Sequence, residues 1–220
     1  MAKIKEIFTS IQGEGPFVGY KQLFVRFCGC NLNCLYCDTD FGYSGAKEYT
    51  AKQIISICNQ NQDCHSVSLT GGEPLLNKNF IKELYKEGIK LPLYLETNGT
   101  MHDELSEVID CIDFISADIK LPSATGLNGM WANHDRFFSI AQKKLLFAKV
   151  VFDKNITDEE ILKTANLCSK YDVELVLQPM MIKNTISVNS EFIEKTLDKF
   201  LKLHKKTRLI PQVHKFLNVI

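Results

Sequence analysis

Short runs of β-branched and aromatic residues alternate along this chain with longer stretches whose apolar positions recur every three or four residues. The first pattern reads as strand and the second as amphipathic helix. Ile4–Ile11 and Gln22–Phe27 flank a turn carrying Gly13, Gly15 and Gly19, which predicts an opening hairpin. Further strands are expected over Ser66–Leu69, Leu93–Glu96, Asp113–Ala117, Phe147–Phe152, Glu174–Leu177 and Thr207–Val213. Helices are expected near Thr50–Asn61, Asn79–Glu87, Asp103–Ile109, His134–Gln142, Asp158–Lys170 and Ser190–Leu203. Start signals support two of them: Thr50 precedes Ala51-Lys-Gln, and Thr157-Asp-Glu-Glu matches a capping box.

Strands alternating with helices give an α/β fold with mostly parallel strands and right-handed crossovers. About six βα units are too few for a closed eight-stranded barrel, so an open partial (β/α)6-type barrel is expected behind the N-terminal hairpin. No repeat, linker or low-complexity stretch divides the chain, so residues 1–220 are expected to form a single domain. Chemically distinctive segments follow the expected strands one after another: Cys30–Cys37, Thr70-Gly-Gly-Glu-Pro, Thr97-Asn-Gly, Asp118-Ile-Lys120, Gln178-Pro and Gln212-Val-His214. In parallel α/β architectures the carboxyl edge of the sheet is where active sites assemble.

Charge narrows the partners. Lys+Arg and Asp+Glu are equal at 26 each, which gives no electrostatic reason to expect nucleic acid or an anionic membrane surface. Lys199, Lys202, Lys205 and Lys206 read as the solvated end of a helix. No secretory segment and no bilayer-length apolar run is visible, so a cytoplasmic protein is expected. In that reducing compartment clustered thiols bind metal or do redox chemistry. Of the 8 cysteines, Cys28, Cys30, Cys34 and Cys37 cluster, whereas Cys58, Cys64, Cys111 and Cys168 are scattered and read as small buried hydrophobes.

Cys30-x-x-x-Cys34-x-x-Cys37 lies in a Gly- and Asn-rich loop able to wrap an iron–sulfur cluster. Three thiolates on a 4Fe–4S cluster leave one iron open to a ligand. The alternative is a non-enzymatic structural zinc module with Cys28 as fourth ligand, although Cys28-x-Cys30 is tighter than zinc pairs usually are. Gly71-Gly72-Glu73 ends a strand; the glycines permit positive φ and close approach of a ligand, and Glu73 can accept from an ammonium group.

The cysteine triplet together with Gly71-Gly72-Glu73 resembles the radical S-adenosylmethionine superfamily. The resemblance implies that the triplet holds the cluster and that the Gly-Gly-Glu segment holds the methionine part of S-adenosylmethionine. Its chemistry is reductive cleavage of the sulfonium and hydrogen abstraction from substrate. Tyr36, Asp38, Thr97, Asn98, Asp118 and Lys120 are the further cofactor contacts that it implies, with a flavodoxin or ferredoxin as electron donor.

Within that superfamily, Ile11-Gln12-Gly13-Glu14-Gly15, Phe24-Val-Arg26-Phe, Cys37-Asp38-Thr39-Asp40-Phe41 and the ending Gln212-Val-His214-Lys-Phe-Leu-Asn218 resemble the 7-carboxy-7-deazaguanine synthases. Members of that family convert 6-carboxy-5,6,7,8-tetrahydropterin to 7-carboxy-7-deazaguanine with loss of ammonia, on the route to queuosine, and need Mg²⁺. The resemblance places Arg26 on the pterin carboxylate, Gln12, Gly13 and Glu14 at the aminopyrimidinone edge, and Thr39 as the Mg²⁺ ligand. Thr70, Gln178 and His214 follow as substrate contacts, and a homodimer is expected. The chemistry suits these types, since a guanidinium fork fits a carboxylate and a hydroxyl is a hard oxygen ligand. One segment departs from the pattern: related synthases often carry Ser-Pro-Lys where this chain has Asp118-Ile119-Lys120. Asp-x-Lys there resembles the activases that place a radical on a partner enzyme's glycine, and these are the alternative. They lack the Gln-Gly-Glu opening and the His-Lys-x-Leu-Asn ending.

Overall fold

The computed structural model describes residues 1–182 and 184–219. The hairpin forms as expected from β1 (Ala2–Ile11) and β2 (Lys21–Phe27), and β3 (Lys47–Tyr49) pairs antiparallel on the far side of β1. Then follow α1 (Ala51–Asn59), β4 (Ser66–Gly71), α2 (Lys78–Lys86), β5 (Leu93–Thr97), α3 (His102–Val108) and β6 (Phe114–Asp118). The second half holds α4 (Pro122–Thr125), α5 (Trp131–Ala141), β7 (Leu145–Phe152), α6 (Asp158–Lys170) and β8 (Glu174–Pro179). It closes with the small ladder β9 (Met181–Ile182) and β10 (Thr185–Ile186), then α7 (Ser190–Leu203), β11 (Thr207–Leu209) and α8 (Val213–Leu217).

Nine strands form one sheet in the order β11-β8-β7-β6-β5-β4-β2-β1-β3, and the pairings from β11 through to β2 are all parallel. The sheet is open, with β11 and β3 at its edges, as the partial-barrel expectation required. Alternation along each strand sorts the two faces. Leu23, Val25, Phe27, Val67, Leu69, Leu93, Leu95, Ile115, Val150, Phe152, Leu175 and Leu177 share the main core with helix residues such as Ile54, Ile81, Leu105, Phe137, Ile161 and Phe200. The opposite parity makes the inner face. At the amino end of the strands this face is aromatic: Tyr94, Phe147 and Val176 are buried with Phe114 and Phe17 against them. Phe17, on the turn between β1 and β2, plugs that end with its ring 4.9 Å from Phe114 and 5.3 Å from Tyr94. Toward the carboxyl end the same parity turns polar, through Ser68, Thr70, Glu96, Asp118, Lys149 and Gln178.

Both start signals act as read. Thr50 with Gln53 and Thr157 with Glu160 form reciprocal capping boxes, each worth about 1 kcal/mol. The end of the chain corrects the sequence reading. The last strand stops at Leu209 rather than running to Val213, because Pro211 has no N–H to offer the ladder, and Val213 and His214 begin α8. The brief elements β3, α4, β9 and β10 were not anticipated; α4 is a single turn opened by Pro122 and closed by Gly126 at φ 72°.

Candidate active site

The carboxyl ends of the parallel strands enclose a cleft with two lobes, of about 180 and 200 Å³. Cys30, Cys34 and Cys37 line the first, with Tyr36, Gly71, Gly72, Thr97, Asn98, Asp118 and Lys120. Gln12, Gly13, Arg26 and His214 line the second, with Phe8 and Phe24. Glu14, Asp38, Thr39, Thr70, Glu96 and Gln212 border both, so the lobes are one continuous space. Gln178 lies on the first lobe. Of the residues singled out from the sequence, Glu73 alone borders neither lobe.

The cysteine loop leaves β2 and is held by the segment that follows β4. Gly71 sits at φ 114°, and a Cβ on Gly72 would overlap the carbonyl oxygen of Gly29. Glu73 N–H donates to that same carbonyl at 2.8 Å. The two glycines thus allow a close approach between two backbone segments at the root of the cysteine loop, while both still line the first lobe. Glu73, read from the sequence as an acceptor for an ammonium group, has three donors within the protein. Its buried carboxylate accepts from Leu75 N–H at 3.1 Å, Thr97 hydroxyl at 2.8 Å and Asn98 N–H at 2.8 Å, tying the ends of β4 and β5 together. Burial pushes its pKa up to about 7 against those three donors. Thr97, spending its hydroxyl proton on Glu73, is likewise a brace.

Around the thiols the donors are mild. Leu32 N–H lies 3.4 Å from Cys30 Sγ and the Asn98 amide 4.0 Å from it, while Asn98 also donates to Asn31 at 2.7 Å. Burial raises the thiol pKa of Cys30 and Cys34. Among the described residues no three His, Cys, Asp or Glu side chains converge on a single ion. Three cysteines spread around one wall suit a group larger than an ion, with amide donors facing its sulfurs. Cys28 stands apart, buried with its thiol 3.5 Å from Gly42 carbonyl. Cys58, Cys64 and Cys168 are buried as expected, and Cys111 is half-buried.

Behind this wall, Lys120 donates to Asp118 at 2.8 Å and to Tyr36 hydroxyl at 2.9 Å. His134, not foreseen from sequence, links two loops: its Nδ1–H faces Gly99 carbonyl at 2.9 Å, and its Nε2 accepts from Lys120 N–H at 3.2 Å. Burial pushes that imidazole down to about 4, so it stays neutral.

Charge dominates the second lobe. Arg26 points from the inner face of β2, its Nε 3.0 Å from Glu6 and its guanidinium 5.4 Å over the Phe8 ring. Gln12 is buried; its amide donates to Gln22 at 2.9 Å and Glu96 at 2.8 Å and accepts from Glu14 N–H at 2.9 Å. Glu14 accepts from Lys149, from Gln212 at 2.8 Å and from Gln178 at 3.3 Å. Burial alone would raise its carboxyl, but the Lys149 charge and hydrogen bond outweigh it and hold Glu14 at about 2. Helix α8 closes this lobe: Val213 N–H donates to Gly13 carbonyl at 2.9 Å, His214 packs on Gly13, and Lys215 pairs with Asp38 at 2.7 Å.

Two charged lining residues were missed by the sequence reading. Glu96, next to last in β5, accepts from Gln12, from Ser68 at 3.0 Å and from Thr70 at 3.0 Å, its pKa raised by burial and by Glu14 despite Lys149. Lys149 lies in the middle of Leu145–Phe152, otherwise wholly apolar, and that lone lysine was the signal.

A cysteine triplet at the carboxyl edge of an open parallel sheet is the arrangement of a radical enzyme, and the comparisons agree. The model of the radical SAM superfamily matches residues 24–188, and the chain belongs to that superfamily. Within it, a 7-carboxy-7-deazaguanine synthase from Archaeoglobus fulgidus is 36% identical, with 99% of each chain covered. One from Geobacter sulfurreducens is 33% identical over 98% of this chain and 97% of its own. The chain is thus a member of the 7-carboxy-7-deazaguanine synthase family. The crystal structure of QueE from Escherichia coli matches at a TM-score of 0.66 and 18% identity, covering 97% of this chain and 94% of that one. A radical SAM methyltransferase from Sphaerobacter thermophilus matches at 0.62 and 12%, covering 93% and 77%. Those two likenesses speak for the fold alone. Among the described residues no helix is long and apolar enough to cross a membrane.

Proposed function

We propose that this chain converts 6-carboxy-5,6,7,8-tetrahydropterin to 7-carboxy-7-deazaguanine with loss of ammonia. The observation that carries the reading is the continuity of the two lobes: the cysteine wall and the Gln12, Glu14, Arg26 and His214 wall face one space. Cys30, Cys34 and Cys37 hold the 4Fe–4S cluster, and the Gly71–Gly72 backbone, Asn98, Tyr36, Asp38, Asp118 and Lys120 surround S-adenosylmethionine. When bound, these groups supply one-electron cleavage of the sulfonium and the hydrogen-abstracting radical. The protein's own part is to orient the pterin and exclude water. Arg26 offers its fork to the substrate carboxylate in exchange for Glu6, whose side chain is half-exposed and holds only a weak pair. Glu14 and Glu96 each keep lone pairs for ring N–H donors, with Gln12, Thr70, Gln178 and His214 around the rest of the ring.

Thr39, bordering both lobes, would offer a hard hydroxyl oxygen to Mg²⁺ held beside the substrate carboxylate. An activase acting on a protein glycine has no small carboxylate to meet Arg26 and no use for the α8 cover over Gly13. A flavodoxin or ferredoxin as electron donor and a homodimer belong to the same reading. The test is anaerobic turnover of the carboxytetrahydropterin by cluster-reconstituted enzyme, followed by product absorbance and mass. Product formation that stops when chelator removes Mg²⁺ is the expected result; failure to consume the pterin with an intact cluster overturns the assignment.

A further inference from the structure

Lys149 is the one residue of the cleft that touches both ends of its charge network. Its side chain is 10% exposed, at the centre of an apolar strand, where an unpaired ammonium would cost several kcal/mol. Parallel register sets it beside Asp118 of β6, and its Nζ lies 3.3 Å from Asp118 Oδ1 while donating to Glu14 Oε2. Asp118 in turn holds Lys120 and through it Tyr36. One ammonium therefore serves a carboxylate of the cysteine-lined lobe and a carboxylate of the other, with Glu96 a third anion in its field.

We propose that Lys149 is a positioning residue for substrate recognition: its charge keeps Glu14 ionised and fixed as the acceptor for the N–H donors of the pterin ring. The inference rests on the pterin reading above. Glu14 is enclosed by Gln178 from β8, Gln212 and His214 at the chain's end, Glu96 and Tyr94 from β5, and Lys149, behind which stands Asp118. Of these only Lys149 carries a full positive charge, since burial lowers the His214 pKa below the usual imidazole value. Without Lys149, burial and the neighbouring carboxylates act on Glu14 against only the Gln212 hydrogen bond and the weaker pull of His214, and favour its protonated form. A protonated carboxyl loses an acceptor site, so pterin binding weakens as pH falls. The amide donors of Gln178 and Gln212 cannot replace the charge.

The experiment measures pterin dissociation constants by calorimetry at pH 6 and pH 8. It uses cluster-reconstituted enzyme with S-adenosylmethionine and no reductant, so that nothing turns over. Parent, K149M, K149Q and K149R are compared, with K149Q serving if K149M fails to fold. The ratio of the pH 6 to the pH 8 constant should be about tenfold larger in K149M and K149Q than in the parent, the effect of a carboxyl released from its lysine to titrate about one pH unit above the lower pH. K149R should match the parent. Identical ratios in all four proteins, or an arginine variant as pH-sensitive as the glutamine one, would overturn the role of Lys149. A parent enzyme that binds no pterin at either pH sinks the pterin reading itself and takes this inference with it.

Discussion

The two lobes of the cleft share six bordering residues yet are built in different ways. The cysteine wall is assembled locally, from one loop of eight residues braced by the segments that follow β4 and β5, and the donors at Cys30 are a backbone N–H and an amide. The substrate lobe is assembled from a distance. Glu14 meets Lys149, Gln178 and Gln212 across separations of 135, 164 and 198 residues, one a charge and two of them amides. A local sulfur loop can recur wherever one cofactor is used, whereas a network gathered from both ends of the chain can be tuned to one substrate. Variants in the first lobe should therefore abolish all chemistry, and variants in the second should grade it.

The sharpest test of that contrast removes a thiol. Cys30→Ala, Cys34→Ala and Cys37→Ala should each leave a folded protein without iron–sulfur absorption near ~400 nm and without detectable turnover, because three thiolates are the whole protein ligand set. Retention of a full cluster in any one of them would break the assignment of that cysteine. Arg26→Lys comes next. It keeps the charge but loses the fork, so pterin affinity should fall by about 1–3 kcal/mol, the scale of a charged hydrogen bond, while the cluster spectrum stays unchanged. Unaltered affinity in the lysine variant would take Arg26 off the carboxylate.

The same contrast explains what the sequence made legible. The Cys30–Cys37 spacing, the Gly-Gly-Glu segment and the strand–helix alternation are local patterns, and each led to the open parallel sheet and to the first lobe. Lys149 and Glu96 were not picked out: a lone lysine in an apolar run was the one mark on the first, and it takes inward parity on strands β7 and β5 to set the two beside Glu14 and Gln12. Glu73 was picked out as a ligand contact, and its bracing of two strand ends was not foreseen. Motif reading cannot tell a carboxylate aimed into a cleft from one turned back onto Leu75, Thr97 and Asn98. The strand extended to Val213 failed for a related reason: β-branched residues continue past Pro211, but the ladder cannot.

Thr39→Val probes the seam between the lobes, where a moderate effect is expected. The substitution keeps shape and removes one oxygen from the proposed Mg²⁺ position. The Mg²⁺ concentration giving half-maximal turnover should rise by about tenfold or more, as it does when a metal's surroundings are disturbed, with the cluster spectrum intact. A valine variant with the parent's Mg²⁺ dependence would remove Thr39 from the metal.

The smallest effect is expected at the cysteine the triplet leaves out, and that is where the local reading of the first lobe is most exposed. Cys28 is two residues from Cys30, and a zinc site would claim it as fourth ligand. The fold sends it elsewhere. As the residue just past the end of β2, it is only 4% exposed, and its thiol faces Gly42 carbonyl at 3.5 Å, a weak contact at most. Cys28→Ala thus removes one buried sulfur and fills nothing. The cost should be about 1 kcal/mol, a fall of roughly 2–4 °C in melting temperature for a chain of this size. Iron per chain, cluster absorption and turnover should match the parent. Iron lost in proportion to that single sulfur, in a variant that melts normally, would place Cys28 among the ligands and return the loop to the closed four-thiolate site.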